Sequence, residues 1–228
     1  MSHRPIQDVP ELPSLDAGIH LLDVDDRTAG ALQSLVVDHL LTDSHGETAV
    51  WVDSRGNGST QPIARLAPGK RVLERIEIAR GFTAHQHYSL LESLAEQVGT
   101  ETALVVLPDL DWFYRSDDLY SSEGERMLAE GIALIEDLCQ QREITILLTR
   151  TAADGFSQPI RNVAGGVIEC ELTSQGPRFV GEGFETLVYS GSGFMQTTFA
   201  YWNRVLSQRH PEAIAPTSQP EVAAVGAN

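Results

Sequence analysis

Five short apolar runs, Gly18 to Leu22, Thr48 to Val52, Arg75 to Ala79, Ala103 to Leu107 and Ile144 to Thr149, recur along the chain with helix-length stretches between them. A strand that is apolar at nearly every position must be buried on both faces, and strands joined by such stretches run parallel, with the crossovers covering the sheet. Glu123 to Gln141 reads as a helix whose apolar face is Leu128, Ile132, Ile135 and Cys139 with Leu138 beside it; Leu32 to Leu41 and about His85 to Val98, with Leu90, Leu91, Leu94 and Val98, read likewise. The pattern predicts an α/β fold, a mostly parallel central sheet flanked by helices. Beyond residue 165 the runs Gly166 to Leu172, Pro177 to Gly181 and Phe184 to Tyr189 are separated by glycine-containing turns, which predicts antiparallel strands added at the C-terminal end. A helix near Met195 to Leu206 follows. Residues 1–17 read as an extended, proline-rich arm, 18–207 as the core and 208–228 as a disordered tail.

Composition narrows the setting. The formal charge is -16, from 32 acidic against 16 basic residues, and Lys70 is the only lysine. An acidic, lysine-poor surface stays hydrated in concentrated salt, where the Debye length falls to about 3 Å and self-repulsion is screened. That predicts a cytoplasmic protein of an extreme halophile, archaeal in type. Cys139 and Cys170 are too few for a metal-binding pattern and lie in apolar segments, so they read as small core residues. Nothing in the sequence has the length of a membrane span or the shape of a signal peptide.

Gly18 to Leu41 reads strand, turn, helix, the place where a phosphate-binding loop sits in folds of this class. Such a loop needs glycines whose N–H groups close on phosphate, a lysine for the outer phosphates and a hydroxyl for magnesium. Register here puts Asp23 at the first glycine, Thr28 at the second, Ala29 at the lysine and Gly30 at the hydroxyl residue, with Asp26 and Arg27 between. Acids at the docking point repel a polyanion. The other glycine-rich stretches, Gly56-Asn-Gly58-Ser-Thr60 and Gly181-Glu-Gly183, are not followed by lysine and are not expected to open a helix after a strand, and Lys70 sits in a Pro-Gly turn.

The order of segments over roughly residues 15 to 190 resembles the RecA/RadA recombinase core, including archaeal RadA paralogues and KaiC-like ATPases. Four pieces carry the resemblance: Ala49-Val-Trp-Val-Asp53-Ser-Arg-Gly56; Ile76-Glu-Ile-Ala-Arg80-Gly-Phe82-Thr-Ala-His-Gln; Leu104-Val-Val-Leu-Pro-Asp109-Leu-Asp-Trp-Phe-Tyr-Arg115; and Ile144 to Arg150. The resemblance implies a RecA-like fold with degenerate nucleotide motifs. Arg55 stands where the turn after Asp53 would hold the water-activating glutamate, and Pro108 falls at the magnesium aspartate unless a slip of one restores Asp109. Phosphoryl transfer rests on positioning and charge neutralisation, so replacing lysine, metal ligand and base together removes its mechanism. No cofactor is expected; bound ATP and magnesium are the alternative.

Further residues fit the same frame. His85 and His87, two apart, do not share a helix face and read as the polar start of a helix. Asp109, Asp111, Trp112, Phe113, Tyr114 and Arg115 fall at the carboxyl end of a central strand, where open α/β sheets place ligands. Trp112, Phe113 and Tyr114 read as packing under the neighbouring helix or, alternatively, as a partner surface. By resemblance, Asp117 to Glu125 and Ala152 to Gly166 match the two DNA-facing loops. The first is acidic; the second, with Arg150, Phe156 and Arg161, offers charge and stacking to single-stranded DNA or a partner. The first phenylalanine is Phe82, so polymerisation through an upstream Phe-x-x-Ala segment is not expected, and a homo-oligomer would use another surface, such as Val9, Leu12 and Leu15 of the arm.

These readings converge on a catalytically inactive RecA/RadA-like paralogue that acts through a protein partner as an accessory or regulator of DNA recombination or repair, with weak DNA binding of its own and no membrane contact. The alternatives are an unorthodox ATP-binding protein or ATPase using Asp109, Asp111 and Arg27, and an assembly module unrelated to DNA.

Overall fold

The computed structural model describes residues 11–24, 28–42, 47–120, 122–174, 176–187 and 199–214. Strands β1 (Gly18–Val24), β2 (Thr48–Asp53), β3 (Ile76–Arg80), β4 (Thr102–Leu107), β5 (Thr145–Leu148), β6 (Gly166–Thr173), β7 (Gly176–Gly181) and β8 (Phe184–Leu187) form one sheet in the order β3-β2-β4-β5-β1-β6-β7-β8. Every pairing from β3 to β6 is parallel, and β6–β7 and β7–β8 are antiparallel. The expected RecA-like architecture, a parallel sheet prolonged by antiparallel strands, is the one observed.

The doubly buried strands distribute their side chains by the period of two. Ala49, Trp51, Leu104 and Val106 enter one core with helices α1 (Ala31–Thr42), α2 (Thr60–Leu66) and α6 (Phe199–Arg209). Val50, Val52, Val105 and Leu107 enter the other, with α3 (Ala84–Gln97), α4 (Glu123–Arg142) and α5 (Gln158–Val163). In α4 the residues Leu128, Ile132, Ile135 and Leu138 are buried, acids occupy the first turn and Arg142 the last, in line with the helix dipole. Glu143, in the left-handed conformation at φ +49°, ends it. At the start of α3 the Gln86 N–H donates to the Thr83 hydroxyl at 3.2 Å, while the Gln86 side chain accepts from the Phe82 N–H at 3.0 Å.

Two expectations at the chain ends change. Leu12 and Leu15 are buried in the first core, so they belong to this chain's own packing and are withdrawn from any assembly surface; Val9 lies outside the described residues. The segment expected to be disordered from residue 208 is structured as far as Ile214, with a 3-10 turn at Pro211–Ile214. The cause is Asp38 on α1. Its buried carboxylate accepts from Arg209 at 2.7 and 2.9 Å and pairs with His210 at 2.7 Å. Burial pushes the Asp38 carboxyl up, but the bonds from His210 and Arg209 outweigh it and hold it below its usual range. The expected end of the last strand, Val188 to Tyr189, and the helix start at Met195 lie outside the described residues.

Removing one partner of a buried ion cluster leaves the others uncompensated. Asp38→Asn is expected to cost about 3 kcal/mol and lower the thermal midpoint by roughly 9 °C. Arg178→Gln, whose partners Glu171 and Glu185 lie on the exposed meander, should leave the midpoint unchanged in the same calorimetric scans.

Candidate functional site: the carboxyl ends of the parallel strands

The carboxyl ends of β1, β2, β4 and β5 border a cavity of about 430 Å³, lined by Thr28, Ala29, Gly30, Arg55, Asp109 and Arg150 among others. The sequence assigned all six to the degenerate site or the nearby loop, and the fold brings them together; Asp26 and Arg27 lie outside the described residues. This is where open α/β sheets bind ligands.

The turn entering α1 is held from across the fold. The Trp202 indole N–H donates to the Ala29 carbonyl at 2.8 Å. Gly30 has φ +87°, and a Cβ there would lie 2.7 Å from the Trp202 ring and 3.3 Å from Phe199. A hydroxyl-bearing residue at this position is therefore opposed twice, by backbone conformation and by the indole. Thr28 is buried, and its hydroxyl finds no hydrogen-bond partner among the described residues. Asp23, at the end of β1, is forked by Arg150, with Nε at 2.9 Å and Nη2 at 2.7 Å. Arg150, expected on a DNA- or partner-facing loop, instead ties the end of β5 to the end of β1, only 10% of its side chain exposed.

The turn after β2 is built around Asp53. Its fully buried carboxylate accepts from the N–H groups of Gly56 and Gly58, each at 3.0 Å, and from Arg80 Nε at 2.7 Å. A Cβ at Gly58 would lie 2.8 Å from the Trp51 indole, so the turn can close only around glycine; contrary to expectation, the stretch then opens α2 at Thr60, with Ser59 at its N-cap. Asn57 is thereby aimed across the cavity, its side-chain amide donating to Asp109 Oδ2 at 2.9 Å, while Gln33 of α1 donates to its carbonyl at 3.1 Å. Arg55 lies 3.9 Å from the same Asp109 oxygen and stacks over Trp112 at 4.2 Å.

Pro108 follows the last residue of β4, and its carbonyl accepts from the Ser54 hydroxyl at 2.6 Å. Asp109 takes φ +46°, a strained value for a non-glycine residue, while its N–H donates to the Thr149 hydroxyl at 2.8 Å. A magnesium–triphosphate site needs a carboxylate free to meet the cation, a lysine and N–H groups open to phosphate. Here a guanidinium and an amide already face Asp109, Ala29 supplies no cation, and an indole fills the space at Gly30. The described residues do not fit magnesium-bound ATP.

Asp111 is not directed into the cavity. Its carboxylate accepts from the Thr151 N–H at 2.7 Å and from Arg115, whose other nitrogens fork onto Asp154 at 2.7 and 2.8 Å. The Arg115 guanidinium lies 4.7 Å from the Phe156 ring centre. Asp154 is held well below the usual carboxylate range by the Arg115 bond. Phe156, expected to be free for stacking, is thus half-buried under an arginine in a latched loop, whereas Arg161 on α5 is exposed.

The aromatic run divides. Trp112 is 38% exposed, Phe113 is half-buried, and Tyr114 is buried with its hydroxyl 2.9 Å from His87 Nδ1. His87, read from the sequence as a polar helix start, is fully buried between α3 and this turn. Burial drives it down to about 4, against a smaller opposing effect of the Asp53 charge. Among the described residues no group of three or more His, Cys, Asp or Glu side chains is placed to hold a metal ion.

The class defined by this geometry is a RecA-like α/β core with a cavity at the carboxyl ends of its parallel strands. Comparison with curated proteins agrees with the class. Over 145 residues the chain is 28% identical to DNA repair protein RAD51 homolog B of Zea mays, covering 56% of this chain and 42% of the relative. Over 143 residues it is 27% identical to DNA repair protein RAD51 homolog 1 of Arabidopsis thaliana, covering 55% of this chain and 41% of the relative. The chain matches about two-fifths of the length of these relatives, a distant relationship to RAD51-type proteins. No protein-family model matches the sequence.

Sequence reasoning found the cleft residues but missed Trp202, Asn57, Gln33 and Thr149, none of which carries a local motif. Two outcomes are expected. Gly30→Ser should destabilise by about 3 kcal/mol in urea unfolding, the sum of left-handed strain and overpacking against Trp202; undiminished stability would mean that the turn accepts a hydroxyl residue without displacing the indole. Because the folded chain holds His87 neutral down to about 4 while the unfolded chain takes up the proton near 6.5, His87 contributes no penalty above pH 6.5. Stability is then lost as pH falls from 6.5 to 4, by about 3 kcal/mol from this group, and His87→Gln should flatten that part of the pH–stability curve.

Proposed function

We propose that the chain is a catalytically inactive RecA/RadA-like paralogue that acts by protein contact, as an accessory or regulator of DNA recombination or repair. The observation that carries the inactive reading is the plug at the β1–α1 turn. Trp202 holds the Ala29 carbonyl and occupies the space a hydroxyl residue at Gly30 would need. The recombination or repair assignment is supported by the similarity to the two RAD51 homologs and by the RecA-like topology.

The partner contact draws on exposed groups beside the cleft. Strand β3 is one edge of the sheet; Phe82, just beyond it, is 73% exposed, and Trp112 stands at the carboxyl-end rim. An extreme halophile, archaeal in type, and a cytoplasmic location accord with the -16 charge and single lysine. Among the described residues no helix is long and apolar enough to cross a membrane. The strained Asp109 favours the second reading, an unorthodox ATP site, since strain at a strand's carboxyl end accompanies function in many folds.

Isothermal calorimetry with ATP and magnesium, in multimolar and in physiological KCl, separates the two. No heat from the parent chain or from Asp109→Ala is expected. Saturable heat from the parent that disappears in Asp109→Ala would overturn the inactive reading and put the ATPase in its place.

A further inference from the structure

Another cavity, of about 670 Å³, lies at the amino ends of β4 and β5, on the opposite edge of the sheet from the cleft. Buried Pro13, Leu15, Val98, Ala103 and Ile144 line it, and Thr100, Thr145, Asp16 and Glu143 supply polar groups. Small-molecule sites are commonly concavities of about 300–1,000 Å³ with an apolar lining and a few placed polar groups. The wall on one side is preformed. Residues 13–17 are pinned across the start of β5, where the Thr145 hydroxyl donates to the Asp16 carbonyl at 3.1 Å and His20 Nε2 lies 2.8 Å from the same oxygen. Leu15 beneath them is part of the first core.

The electrostatics of this cavity favour one sign. Three helices end on it, α1 at Thr42, α3 with Val98 as its C-cap and α4 at Arg142, and the carboxyl end of a helix carries partial negative charge. Asp16 and Glu143 add two exposed carboxylates, neither bonded to another group among the described residues. The basic side chains at the rim are turned to partners of their own. Arg209 forks buried Asp38 at 2.7 and 2.9 Å, Arg142 donates to the Ala95 carbonyl at 3.3 Å, and His39 Nε2 lies 3.4 Å from the Ala103 carbonyl.

We propose that this cavity binds a small organic cation, an ammonium or guanidinium group carried on an apolar body. The apolar lining takes the body, and the helix ends with Asp16 and Glu143 take the charge. An anion of the same shape meets those helix ends and carboxylates as repulsion. A bare metal ion leaves the apolar lining unused, and among the described residues no group of three or more His, Cys, Asp or Glu side chains is placed to hold one. The site goes beyond the protein-contact reading and does not depend on it, since it lies at the opposite edge of the sheet from the cleft, Trp112 and Phe82.

The test is a titration of the isotope-labelled chain, followed by amide correlation spectra, at the lowest KCl concentration that preserves the native far-UV circular dichroism. The probes are hexylamine, hexanol and hexanoate, which share one apolar body and differ in charge. Hexylamine is expected to move the amide signals of Leu15, Thr100 and Thr145 saturably and to bind about tenfold more tightly than hexanoate, with hexanol between them. The double variant Asp16→Asn, Glu143→Gln, at two exposed positions, should give the parent's spectrum and bind hexylamine about fivefold more weakly, with hexanoate not weakened. Ala17→Trp, at an exposed position lining the cavity, should abolish the shifts from all three probes. Absence of a saturable shift with hexylamine overturns the proposal, as does hexanoate binding as tightly as hexylamine, or a double variant that binds hexylamine like the parent. Shifts confined to Thr28, Gly30 and Arg55 also overturn it and move the cation to the cleft at the opposite edge.

Discussion

The indole of Trp202 meets the turn between β1 and α1, and much of the molecule is arranged around that contact. Its N–H satisfies the Ala29 carbonyl, its ring lies over the left-handed Gly30, and the helix that carries it packs against α1 and α2. The other end of the same helix is fixed to α1 through Asp38, Arg209 and His210. Helix α6 is thereby clamped at both ends to the first strand–helix unit. Protein interiors are close-packed, so volume taken by a ring is not open to another group. The space beside Gly30 is therefore taken by the indole and not open to a larger side chain there.

Charge along the strand ends follows a matching rule. Asp23 faces Arg150, Asp53 faces Arg80, Asp109 faces Asn57 and Arg55, and Asp111 and Asp154 share Arg115. Each pair or cluster joins two different segments, so neutralising the acids also sets how the turns sit on one another. A buried carboxylate cannot persist without such partners, because removing it from water costs several kcal/mol. With 16 cations in the whole chain, this use leaves few elsewhere.

Much of the fold was readable because doubly buried strands and long amphipathic helices advertise themselves by composition and period. Each strand from β1 to β7 lies within two residues of its apolar run, and α4 follows its apolar stripe. Helices α2 and α5, of seven and six residues, escaped because they complete fewer than two turns, too few for a period to register. His87 looked polar and is buried, since the Tyr114 hydroxyl comes to it from a turn 27 residues away. Leu12 and Leu15 looked like an exposed arm, and nothing local shows that the core leaves room for them.

The same division holds for the cleft. Chain order placed Ala29, Gly30, Arg55, Pro108 and Asp109 at the strand ends, because parallel α/β connectivity sends successive loops to one edge of the sheet. Residue identities along the chain thus decided which groups the cleft lacks. Only the folded arrangement decided which groups hold the strand ends around it. Trp202 is 173 residues from Ala29, and Arg150 is 127 from Asp23. Contacts at such separations leave no local period or motif, and they form only once the sheet has aligned the strand ends.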